Sequence, residues 1–557
     1  MIDMGGIAAR VRDTFDVVGR TVEQASSTVA RLFRDDVQPT RREADVVLHR
    51  VAARVQTNLT PEERQQVERD VEAVFQRAGH GYAEAAIELA KRLRGESSDY
   101  QAAVTGRLFD VAPGVAADVL RGAGGERHHI SEGWPTESDQ YLIARSLGAA
   151  YDRGHLPSDF VEQLLGHDSM FLPPNNEFTG TIVGMSGSQD LVNAYVDRSL
   201  ELARGDEPDW IQSFNLGAAR AMAGDPKILQ QRLEAMTPEQ LTEFLSRIEP
   251  RWHDTKIAGY DSGYTNALAS VVRGAADIQP PTEQVLNLFR EVATKYMDRA
   301  GVADAMGELF TSGYTEHVRF ANGRIDESVF HSNAEFFLHR MLATGKDPVT
   351  GRDIDEAGQV AALRNFVQAT AFSDYSEYRD GVRAQLTEQI RTLQSAIQYY
   401  PGVGSRTESL IARTIEAEPG VDRAASIKEQ LAFRLGRLTA TVFQGFEAAV
   451  KARNGENAAI DGTVDFLFGL VPVSKATDIV KARIPGAGLV IDKAADKGVD
   501  TLKGIVKDWL HKADLEDQRL EVWNLYAEFA NNVATYHSGD FYSGAGSVDF
   551  TLQHSGR

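Results

Sequence analysis

The 557-residue chain contains no cysteine, which excludes disulfides, Cys-ligated zinc, iron–sulfur clusters and thiol nucleophiles together. Packing alone must hold such a fold. There is no excess of positive charge either: 59 Lys and Arg stand against 80 Asp and Glu, a formal net charge of -21. A surface of that sign repels the phosphate backbone that supplies most nucleic-acid affinity, so DNA and RNA are not expected partners. No apolar run approaches the roughly 20 residues that span a bilayer, and no GxxxxGK[ST] phosphate loop is present. Gly184-Met185-Ser186-Gly187-Ser188 fails the spacing of a nucleophile elbow and lacks an α/β sheet to hold it. The opening Met1-Ile2-Asp3-Met4-Gly5-Gly6 has no basic segment followed by an apolar stretch, so a Sec-type signal is not expected there. Synthesis in a bacterial cytosol is the expectation. A thiol-free chain also suits passage between redox compartments, and export by a specialised secretion system is expected with it.

What the sequence does contain is helical periodicity. Hydrophobic residues make up 42% and charged residues 25% of the chain, ordinary globular values, and the length suggests roughly three to five folding units. Val382, Leu386, Ile390, Leu393 and Ile397 recur at three- and four-residue steps, one buried stripe of a helix. Thr60-Pro61-Glu62-Glu63 and Thr237-Pro238-Glu239-Gln240 each place a capping hydroxyl, a proline at the first helical position and an acceptor three residues on. The predicted fold is all-α: a multi-helix array of degenerate helix pairs, closed by a C-terminal apolar helical hairpin. Glycines followed by proline punctuate it at Gly154, Gly205, Gly224, Gly274 and Gly345, read as left-handed helix ends. Two short β excursions are expected, Phe178 to Val183 and a hairpin of Val318–Ala321 with Arg324–Ile325 across Asn322-Gly323.

These signals divide the chain into an N-terminal bundle (1–122), a loosely repetitive helical array (130–355), a long-helix bundle (356–455), an apolar Gly/Pro-broken hairpin (460–512) and a terminal helix with a flexible Gly/Ser-rich tail (513–557). The charge is concentrated in the middle, where residues 101–470 carry -17 of the total. The 460–512 segment is the opposite case. It begins with Phe466, Leu467 and Phe468 and carries Lys475, Lys481 and Arg483, a pairing of apolar and basic groups that suits contact with a partner or a membrane surface.

Chemistry-bearing clusters are few. His331, Glu335 and His339 fall four apart, so on a helix two imidazoles and a carboxylate share one face as candidate metal ligands. Eight positions drift about 80 degrees around a helix, so both imidazoles reach one ion only if the helix bends. His128 and His129 sit in a Gly-rich connection beside Glu126 and Glu132, where loops often carry catalytic groups, although adjacent side chains diverge. Phe366, Phe372, Tyr375 and Tyr378 have the spacing of core aromatics.

Cysteine-free helices with motifs such as Met236-Thr237-Pro238-Glu239-Gln240-Leu241, followed by the broken apolar stretch at 466–491, resemble the helical carrier regions of bacterial polymorphic toxins and secreted effectors. That resemblance implies a region preceding a toxin domain, yet only 45 residues follow Lys512, too few for an ordinary catalytic domain. The reading is a non-enzymatic helical effector, scaffold or toxin carrier that needs no cofactor and works through protein–protein contacts. Two alternatives stand beside it: a membrane-active protein using the 460–512 hairpin, and a metal-dependent hydrolase using the histidines.

Overall fold

A computed structural model describes residues 59–124, 135–166, 176–204, 208–248, 267–299, 301–313, 320–321, 324–325, 332–346, 352–373, 376–402, 422–452, 457–470, 477–478, 480–481, 484, 499–512 and 538–554. The chain divides into two compact units, 1–274 and 275–557. Among the described residues the fold is all-α, as the periodicity predicts, and no described helix is long and apolar enough to cross a membrane.

The first unit contains α1 (Pro61–Ala78), α2 (Tyr82–Leu93), α3 (Ser98–Val111), α4 (Pro113–Gly124), α5 (Glu137–Asp152), α6 (Phe160–Leu165), α7 (Asn176–Gly184), α8 (Gln189–Leu202), α9 (Pro208–Ala223), α10 (Pro226–Ala235) and α11 (Pro238–Ile248). A twelfth helix, α12 (Ala267–Ala276), spans the division. Helix α1 starts where its capping box predicts: the Glu63 amide donates to Thr60 Oγ1 at 3.2 Å and the Thr60 amide to the Glu63 carboxylate at 2.6 Å, satisfying two otherwise orphaned donors. Thr237 and Gln240 repeat the arrangement at α11. The first three helices meet on the buried Asp70 carboxylate, which accepts from Tyr100 Oη at 2.7 Å, Arg92 Nη1 at 3.0 Å and Gln66 Nε2 at 2.8 Å.

Glycine sets how closely the later helices approach. A Cβ on Gly180 of α7 would lie 2.9 Å from the carbonyl carbon and 3.0 Å from the Cα of Gly217 on α9, and one on Gly224 would lie 2.6 Å from the Cα of Gly184. Gly274 is tight in the same way, 2.6 Å from the Ala223 carbonyl oxygen. Gly154 and Gly345 do adopt the left-handed conformation at φ +67° and +78°. Gly274 instead lies inside α12 and marks a close helix contact, not a helix end. The expected strand at 178–183 is likewise corrected: these residues belong to α7, because Gly180 and Gly184 give that helix a face with no side chains for α9 to lie on.

The second unit contains α13 (Glu283–Lys295), α14 (Val302–Thr311), β1 (Phe320–Ala321), β2 (Arg324–Ile325), α15 (Asn333–Met341), α16 (Glu356–Thr370), α17 (Arg379–Tyr399), α18 (Arg423–Ala452), α19 (Asn457–Leu470), α20 (Val499–Leu510) and α21 (Ser538–His554). The two strands pair antiparallel, Phe320 with Ile325 and Ala321 with Arg324, and their Asn322-Gly323 connection lies outside the described residues. The core is built on phenylalanine. Phe289 stacks on Phe337 at 4.4 Å and meets Phe366 at 5.1 Å, and Phe310 meets Phe366 at 4.8 Å, joining α13, α14, α15 and α16. The predicted stripe of α17 is buried throughout.

At the C-terminus the flexible tail is a helix. Residues Ser538–His554 form α21, which buries Phe541 and Val548 and packs on α18. A Gly/Ser-rich sequence reads as mobile because it offers few side chains to bury. Here the same smallness lets two backbones touch, Gly436 against the Phe541 carbonyl and Gly544 against the Phe433 carbonyl. Val548 completes an apolar cluster with Val360 and Ala440.

Candidate functional site: a buried cationic junction

Helix α15 carries two of the three candidate metal ligands. Ser332 caps it by accepting from the Glu335 amide at 3.2 Å, and the helix buries both Glu335 and His339. His331 lies outside the described residues. Among the described residues, no three His, Asp or Glu side chains gather as metal ligands.

His339 is 5% exposed and its Nδ1 has no hydrogen-bond partner. Burial, and after it the Arg434 charge, pushes its pKa down to about 3, so the ring is neutral at any ordinary pH. A neutral imidazole can ligate a metal, but the charge beside this one is a guanidinium.

The guanidinium belongs to α18. Arg434 and Arg437, one helical turn apart, are 6% and 0% exposed. Arg437 donates from Nη1 to the Glu356 carboxylate at 3.1 Å and from Nη2 to the Glu356 carbonyl at 3.1 Å, which fixes the first residue of α16 against the middle of α18. Its Nε is buried without a partner. Arg340, next to His339 on α15, donates to Glu283 of α13 at 2.9 Å, and its backbone carbonyl accepts from Gln359 Nε2 at 3.3 Å. Burial first, then the charges of Arg437 and Arg340, lower the Arg434 pKa to about 10. Burial lowers Arg437 too, and Glu356 opposes it. Four helices thus converge on three arginines and a neutral histidine. Glu283, which pairs with Arg340, and Glu356, which pairs with Arg437, are 42% and 37% exposed and lie at the rim.

Sequence reasoning found His339 and Glu335 but missed Arg340, Arg434, Arg437, Glu283 and Glu356. The apolar stripe of α18 gave no signal for its two arginines: at about 100° per residue Arg434 and Arg437 fall roughly 40° and 100° outside the arc of Leu431, Leu435, Leu438 and Val442, where a helix ordinarily carries its solvated charges.

The other candidates are scattered. His128, His129, Lys475 and Arg483 lie outside the described residues, as does Tyr375. Phe466, Leu467 and Phe468 are buried in α19, with Phe466 edge-on to Phe372 at 6.4 Å, while Lys481 is exposed. Tyr378 bonds Glu308 through its hydroxyl at 3.1 Å, and Phe366 and Phe372 are buried. Helix α19 also packs on α20, where Asp465 pairs with Lys503 at 3.2 Å and Lys507 at 3.1 Å and His511 Nε2 lies 2.9 Å from Asp461. No protein family, curated protein or solved structure matches this chain.

Proposed function

We propose that the chain is a non-enzymatic helical scaffold or carrier of the secreted-effector type that acts through protein–protein contacts. The observation that carries this reading is a pair of exposed tyrosines on the first unit, Tyr82 and Tyr141, 44% and 49% exposed. Both are held by charged neighbours. Asp118 acts on the Tyr82 hydroxyl through charge and a hydrogen bond and raises its pKa, and the Arg145 guanidinium lies 4.9 Å over the Tyr141 ring while its Nε donates to the hydroxyl at 2.9 Å. Tyrosines presented in a fixed geometry supply contact area at low entropic cost, which is why interfaces are rich in them. The acidic balance of the chain directs this reading toward proteins and away from nucleic acids. In the same reading the protein is made in a bacterial cytosol and leaves it by a specialised route.

A membrane-active second reading draws on α19 and α20 as the arms of an apolar helical hairpin. Its apolar groups Phe466, Leu467 and Phe468 are buried in the protein, so membrane contact requires this pair to open. Expression of the full chain in the bacterial cytosol, and separately in the periplasm, with a photo-crosslinking amino acid at position 82 or 141, separates the two. A discrete heteromeric adduct with unchanged membrane potential is the expected result. Collapse of the membrane potential on periplasmic expression, abolished by Phe466→Asp with Phe468→Asp in a chain that stays folded, would replace the scaffold reading with the membrane one.

A further inference from the structure

We draw no further inference here: the strongest candidate, the cluster of buried polar side chains on the packed helices α7 and α8 in which the Asn176 amide and the Thr179 and Ser199 hydroxyls have no hydrogen-bond partner, carries none, because nothing in the structure shows a ligand-sized space that these groups share.

Discussion

Substituting Gly180 by alanine sets two opposing effects against each other. In a solvent-exposed helix the change stabilises by about 1 kcal/mol, because glycine loses more backbone freedom on folding. In α7 the added methyl would lie 2.9 Å and 3.0 Å from backbone atoms of Gly217 and closer still to its carbonyl oxygen. Those atoms belong to the interior of α9 and cannot swing aside as a flexible side chain would. Overpacking a tight interior costs roughly 1–3 kcal/mol and more where backbone must shift, so the upper end applies and the net effect is destabilisation by about 1–2 kcal/mol. Gly504 in α20 is the control, since nothing lies within 4 Å of a Cβ there, and Gly504→Ala should be neutral or stabilise by up to about 1 kcal/mol. Because the chain holds two units, the assay is urea-dependent hydrogen exchange read on peptides from α7 and α9, not a single global transition. Equal or greater protection in Gly180→Ala would refute the close α7–α9 contact.

The buried neutral His339 makes the second unit sensitive to acid. Its folded pKa of about 3 lies below the ordinary 6.5, so the unfolded chain binds the extra proton between those values. Stability is then full above pH 6.5 and falls as the pH drops toward 3, by about 1.4 kcal/mol per pH unit; His339→Leu should flatten this slope in urea titrations at pH 7 and 5, and an unchanged slope would contradict the burial. Asp70→Ala strands the Tyr100 hydroxyl in the interior and should cost about 2–3 kcal/mol, seen as faster exchange in α1, α2 and α3, with no change counting against the hub. Deleting residues 538–557 uncovers the face of α18 around Gly436 and Ala440; a lower melting temperature for the second unit is expected, and an unchanged one would return the segment to the status of a tail.

The all-α class, the starts of α1 and α11 and the buried stripe of α17 were legible in the sequence because each rests on local physics. A capping box satisfies amides within four residues, and a stripe of Val382, Leu386 and Ile390 needs only the 3.6-residue turn. Glycine was misread for the complementary reason. Gly274 and the Gly/Ser-rich run around Gly544 looked like punctuation and tail, and only the approach of Ala223 and Phe433 from distant parts of the chain makes them packing surfaces. The junction follows the same division. That a histidine and a carboxylate share α15 is a property of their spacing, but the charge that acts on His339 comes from Arg434, about a hundred residues away, and Arg437 one turn on is held by Glu356 of a third helix. Spacing within one helix determines which side chains share a face; which helix covers that face, and with what charge, is decided by tertiary packing alone.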